Sequence, residues 1–170
     1  YPPGSPGVGR HRQAPLLFEI CDLVDSCNRI KLHYNATMQI LEVPIEDAFQ
    51  SLSDVTRLRV VRLLAVSQEE ACLCELVDSL LEPQYKLSRH LKILRNAGLL
   101  ECEKDGRWVY HRLVTGSTHL LALFDVIETL PDPKHIYRDD FKRFTQRLKH
   151  REGGRCRVGV LTETLKSEAV

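Results

Sequence analysis

Gln84-Tyr85-Lys86-Leu87-Ser88-Arg89-His90-Leu91-Lys92-Ile93-Leu94-Arg95-Asn96-Ala97-Gly98 is the stretch whose reading decides the fold. Leu87, Leu91 and Leu94 recur at helical spacing and turn one face inward, while Lys86, Arg89, Lys92 and Arg95 point outward. Gly98 ends the helix, because glycine takes the left-handed conformation that a helix C-terminus needs. Pro83, in Glu82-Pro83-Gln84, cannot sit inside a helix, so a turn precedes it. Upstream of that turn, Leu76, Val77, Leu80 and Leu81 predict a short helix from about Cys74 to Leu81. Downstream, residues 99–102 and 108–113 are β-like runs joined around Lys104-Asp105-Gly106-Arg107, and Asp-Gly between apolar runs signals a hairpin. Two helices, a short turn and a hairpin make a winged helix-turn-helix: mainly α, with a small β-hairpin.

The rest of the chain frames this unit. Ile45, Ala48, Phe49 and Leu52 keep a helical period. Asp54 is a good N-cap for a second helix that buries Leu58, Val61, Leu64 and Ala65. Residues 117–130 form an apolar helix, greasier than a lone surface helix needs, that Pro131 and Pro133 stop. Residues 138–151 read as a basic, partly amphipathic helix, and Gly153-Gly154 opens a tail expected to be mobile. Met38 is the sole methionine, so residues 1–37 are expected to be a disordered or artefactual extension. Residues 38–130 are then the winged helix-turn-helix domain, and residues 131–170 the basic helix and flexible tail. No apolar run approaches the ~18 residues of a membrane span, and no signal-peptide core opens the chain. A cytoplasmic setting follows, in which the six cysteines are thiols and potential ligands.

Between Lys86 and Arg112 seven basic residues face three acids, a local net charge of +4 in a chain of +1 overall. One basic face on a near-neutral protein is the footprint of nucleic-acid binding. Just ahead of that face lies Cys72-Leu73-Cys74. Residues two apart on a regular helix point about 200° from each other. The pair converges on one ion only if the chain is extended or turning there, as at a helix start. A helix N-terminus also favours thiolate, and sulfur selects soft ions over Mg²⁺ or Ca²⁺. Candidates for a third ligand are Cys102, Cys156, Cys21 and Cys27. A thiol enzyme, with His90 or His111 as base, lacks an oxyanion hole and a third orienting group, so the chain is not read as an enzyme.

Asp54-Val55-Thr56-Arg57-Leu58-Arg59, Cys72-Leu73-Cys74-Glu75-Leu76, Leu87 through Leu94, and Gly98-Leu99-Leu100 through Gly106-Arg107-Trp108-Val109-Tyr110 resemble the ArsR/SmtB family of metal-responsive repressors. The resemblance covers roughly residues 45–113 and is nearest to the arsenical repressors. It implies a homodimer that binds operator DNA when empty and dissociates when As(III) or Sb(III) binds its thiolates. The third cysteine of the enteric-type motif is Val77 here. Cadmium and lead sensors of the family pair the same Cys-x-Cys with N-terminal cysteines, so a Cd(II)/Pb(II) site that includes Cys21 and Cys27 is the alternative. Thiol redox sensing is another. The resemblance makes residues 84–96 the recognition helix, whose N-terminal half enters the major groove. Gln84, Tyr85, Lys86, Ser88, Arg89, His90, Lys92, Arg95 and the wing-tip Arg107 are the DNA-binding candidates. The apolar helix at 120–130 and the helix near Ile45 are expected to make the dimer, and a two-fold dimer predicts an inverted-repeat operator.

Overall fold

Asp54 sets the first long helix. Its backbone is extended, and its carboxylate accepts the Arg57 N–H at 3.1 Å, satisfying one of the donors that a helix start leaves open. The structure, a computed structural model, describes residues 44–161, and the expectations for residues 1–37, including Cys21 and Cys27, lie outside them. Helix α1 is Ile45–Leu52, and α2, capped by Asp54, is Val55–Ser67. The chain then forms β1 (Ala71–Cys72), α3 (Leu73–Leu80) and, after the turn at Pro83, α4 (Gln84–Asn96). Asp54→Ala should cost about 1 kcal/mol. Urea unfolding will read this as a lower midpoint, and an unchanged midpoint would show that the cap contributes nothing.

Gly98, at φ +69°, closes α4 with two bonds: its own N–H to the Arg95 carbonyl and the Leu99 N–H to the Leu94 carbonyl, both 3.0 Å. This reversal turns the chain into β2 (Leu100–Asp105), which pairs antiparallel with β3 (Trp108–Leu113). Strand β3 has the expected bounds, while β2 runs on from the expected Cys102 to Asp105, so that Asp105 pairs with Trp108 and the turn itself is Gly106-Arg107. Gly106 takes φ +59°, which glycine adopts without strain. Strand β1 joins the far side of β3, giving the order β1-β3-β2 and placing Cys72 opposite Tyr110. The winged helix-turn-helix read from the sequence is therefore present, with one extra strand that carries a cysteine.

Val60, Leu64, Leu76, Leu80, Leu87, Leu94 and Leu99 form the core between α2, α3, α4 and the sheet. Helix α5 (Thr118–Glu128) adds Leu120, Phe124 and Ile127. The packed body runs on past Leu130. Helix α6 (Ile136–Leu148) lies against α3 and α2 and buries Phe144 completely. Beyond it, Gly153-Gly154 is the turn between β4 (Arg151–Glu152) and β5 (Arg155–Cys156). The reason is electrostatic. Helix α3 carries Glu75 and Asp78 at full burial, and the basic C-terminal residues reach over to neutralise them.

Candidate thiol site and nucleic-acid interface

Cys72 ends β1 and is the N-cap of α3, with extended backbone (φ −83°, ψ 164°). Cys74 is the second residue of the helix. The conformational break between them overcomes the helical spacing that would splay their side chains, and the two sulfurs lie 2.9 Å apart. The Glu75 carboxylate fixes the break by accepting the Cys72 N–H at 2.9 Å. Cys156, 82 residues on in sequence, brings its sulfur within 3.4 Å of Cys74. All three sulfurs are buried and lie within 4.8 Å of one another.

Cys156 is held from three sides. Its N–H donates to the Tyr110 hydroxyl at 2.6 Å, its thiol donates to the Val158 carbonyl at 3.0 Å, and Arg147 Nη2 donates to its sulfur at 3.4 Å. Arg147 is fully buried, with Nε on Asp78 Oδ2 at 2.8 Å and Nη2 also on the Val158 and Gly159 carbonyls. Arg151 grips Glu75 with Nε on Oε1 at 2.8 Å and Nη2 on Oε2 at 3.1 Å. Two compensated ion pairs thus flank the sulfurs.

These surroundings split the thiols. Cys74 is pulled down to about 7, first by the hydrogen bond from Cys72 and then by that from Cys156 and the Arg147 charge. Cys72 is pushed up, mainly by that same bond to Cys74 and then by burial, and Cys156 is pushed up by burial. Of the three thiols Cys74 is therefore the one that ionises most readily, with the Arg147 charge favouring its thiolate. Thiolate is the form that ligates soft ions.

Cys102 does not join them. It sits on β2, where it pairs with His111 across β3, while β1 with Cys72 is on the other side of that strand; Arg95 Nη1 meets its sulfur at 3.4 Å. His111 is buried on the central strand and pushed down to about 3 by that burial, so it stays neutral at ordinary pH. The third sulfur comes from a segment expected to be mobile. No role was read from the sequence for Arg147, Asp78, Arg151, Glu75 or Tyr110, although Glu75 and Tyr110 stand in the motifs quoted above. The signal available was Glu75 and Asp78 inside an otherwise apolar helix, since acids there are rarely buried without a cation.

The second surface is the outer face of α4 with the wing tip. Tyr85 is 67% exposed, and Gln84, Arg89 and Lys92 are open beside it. The Arg89 guanidinium lies 5.9 Å from the Tyr85 ring centroid. Lys86 is tied to Glu82 at 2.8 Å, and Ser88 is half-buried. His90 turns inward: its side chain is 12% exposed, with Nδ1 3.7 Å from Asp54. Arg95 is half-buried against Cys102. Arg107 is exposed at the wing tip, its guanidinium 4.6 Å over the Trp108 ring. No described helix is long and apolar enough to cross a membrane.

An open basic helix face, a wing ending on an exposed arginine and a thiol cluster at the start of the first helix of the pair make up a winged helix-turn-helix domain. Residues 54–101 match the family described as bacterial regulatory protein, arsR family, and the chain belongs to it. The arsenic resistance transcriptional regulator ArsR2 of Pseudomonas putida is 51% identical over 67 residues, 39% of this chain and 57% of its own. The arsenical resistance operon repressor of Escherichia coli K12 is 46% identical over 80 residues, 47% of this chain and 64% of its own. The cadmium resistance transcriptional regulatory protein CadC of Listeria innocua is 31% identical over 98 residues, 55% of this chain and 78% of its own. The chain thus spans less than two thirds of the first two of these relatives. Cys72 and Cys74 fall within the family match, and Cys156 falls beyond it.

Proposed function

We infer that this protein is a repressor that binds operator DNA as a dimer and lets go when trivalent arsenic or antimony is captured by Cys72, Cys74 and Cys156. The observation that carries this reading is the convergence of three buried sulfurs from two distant segments. Bonds of about 2.3 Å to thiolate, at angles from 90° to tetrahedral, set sulfurs roughly 3.3–3.8 Å apart. Cys74 and Cys156 already fall in that range at 3.4 Å, and Cys72 and Cys74 sit just below it at 2.9 Å. All three sulfurs lie within 4.8 Å of one another, so capture needs only small adjustments.

Charge supports a trivalent ion. Three thiolates with a trivalent ion make a neutral complex, whereas a divalent ion leaves one negative charge. The ion pairs around the site, Arg147 with Asp78 and Arg151 with Glu75, are already compensated. Burying a further net charge costs several kcal/mol. With arsenous acid, each new As–S bond replaces an As–OH bond. The Cys72 and Cys156 protons leave with two hydroxyls as water, and a solvent proton accompanies the third for the Cys74 thiolate.

For DNA, the open residues of α4, Gln84, Tyr85, Arg89 and Lys92, suit the major groove, with Lys86 and Ser88 at its edge. Arg107 suits phosphate or the minor groove. His90 and Arg95 support the helix from behind. Ile45 and Phe49 on α1 and Leu121 and Val126 on α5 are exposed apolar residues suited to the dimer contact. A two-fold dimer places half-sites about 34–36 Å apart.

The test uses a DNA fragment selected from a random pool by the ion-free full-length protein. Arsenite and antimonite should weaken binding roughly tenfold or more. Cys72→Ser and Cys74→Ser should each bind the fragment and resist release. Undiminished release in both variants would sink the reading. Release by cadmium but not arsenite would favour the divalent alternative, and release by peroxide alone, reversed by a thiol reductant, would favour redox sensing.

A further inference from the structure

The thiol cluster does more than lie near the wing: it is built onto the wing's central strand. Tyr110, on β3, is fully buried and packs with Cys72, Cys74 and Cys156 in one cluster, against which Trp108 is also packed. Its backbone faces Cys72 on one side and Glu103 of β2 on the other. Its hydroxyl accepts the Cys156 N–H at 2.6 Å. Tyr110 therefore touches both segments that supply sulfur. Three residues before it, about 10 Å along the strand, is the exposed Arg107 at the tip.

A second link runs alongside. The Arg155 guanidinium lies 4.5 Å over the Tyr110 ring, ion-pairs with Glu70 ahead of β1, and has Nε 3.8 Å from Asp105, the last residue of β2. Arg157, on the other side of Cys156, reaches the same Asp105 at 4.0 Å. The segment that carries the third sulfur is thus fastened to the wing by a buried hydrogen bond and by two arginines on Asp105, one of which, Arg155, also stacks on Tyr110.

We propose that Tyr110 is the positioning residue that transmits ion capture to the DNA-binding wing, with Arg155 as its companion. Capture resets the spacing of the three sulfurs, and any shift of Cys156 moves the N–H that Tyr110 accepts, and with it the strand that aims Arg107. The proposal rests on the three-thiol reading above. Coupling between two sites needs an element whose position both ligands bias, and β3 is the element common to the sulfurs and the wing tip.

Tyr110→Phe removes the hydroxyl and keeps the ring. In the full-length parent, arsenite should weaken binding to the selected DNA fragment roughly tenfold or more. In Tyr110→Phe the factor should fall below about threefold, while arsenite affinity without DNA and DNA affinity without arsenite each stay within about threefold of the parent. Because coupling is reciprocal, DNA should cease to weaken arsenite binding in the variant by the same factor. Arg155→Met leaves every buried partner of the sulfurs in place and should lose coupling in the same way; it decides the matter if Tyr110→Phe does not fold. Parent-like release in the folded variants overturns the proposal while leaving the three-thiol reading intact. Arsenite affinity reduced more than about tenfold in Tyr110→Phe also overturns it, because the hydroxyl would then serve the ion site itself. A parent that arsenite does not release overturns the reading on which the proposal stands.

Discussion

Cys156→Ser should leave a protein that binds its DNA as the parent does and no longer responds to arsenite. The sulfur is fully buried 3.4 Å from Cys74, and serine in its place preserves the N–H that Tyr110 accepts. The fold and the open face of α4 therefore survive. The chemistry does not, because a hard hydroxyl is a poor ligand for a soft ion. Two thiolates remain at the start of α3, but the bond that ties the C-terminal segment to them is gone. Release by arsenite should fall from roughly tenfold or more to under about twofold, read by fluorescence anisotropy of labelled DNA. Parent-like release would mean that the ion needs only Cys72 and Cys74, or a sulfur from elsewhere in the chain.

Arg147→Met should be the most destabilising change. The Arg147–Asp78 pair has both side chains at zero exposure, and the guanidinium also serves two carbonyls and the Cys156 sulfur. Removing the cation strips a buried carboxylate of its counter-charge, which costs about 3–5 kcal/mol. The Leu161 N–H, which donates to both Asp78 oxygens, offsets part of that. Chemical denaturation should show the loss, and Arg147→Met with Asp78→Leu should recover part of it, since an apolar pair of similar volume often matches a buried ion pair. A loss below about 1 kcal/mol would show that this pair does not hold α6 and the following hairpin to α3.

The helix-turn-helix was legible because its signals are local. Leucines at helical spacing, Asp54 at one end, Pro83 in the turn and Gly98 at the other end each act on residues within one turn of themselves. The Cys72–Cys74 pair was legible for the same reason, since its geometry depends only on where α3 begins. Its third partner was legible only as one of four candidates, Cys102, Cys156, Cys21 and Cys27. Cys156 reaches Cys74 only because α6 packs on α3, and that packing rests on contacts such as Arg147 with Asp78, 69 residues apart. Read one helix at a time, 138–151 is a basic surface helix, while Asp140 and Arg147 are in fact buried in ion pairs. The same holds for the inward turn of His90, whose ring lies beside Asp54, 36 positions earlier, a contact that no local pattern signals.

The claim at the centre of this account is that three sulfurs from two distant segments take one trivalent ion. X-ray absorption at the arsenic edge, on the full-length protein with one equivalent of arsenite, counts those sulfurs directly. The account predicts three sulfur neighbours and no oxygen in the parent, and a sulfur replaced by oxygen in Cys156→Ser. Three sulfurs persisting in Cys156→Ser, or a parent site with an oxygen in its shell, would contradict it.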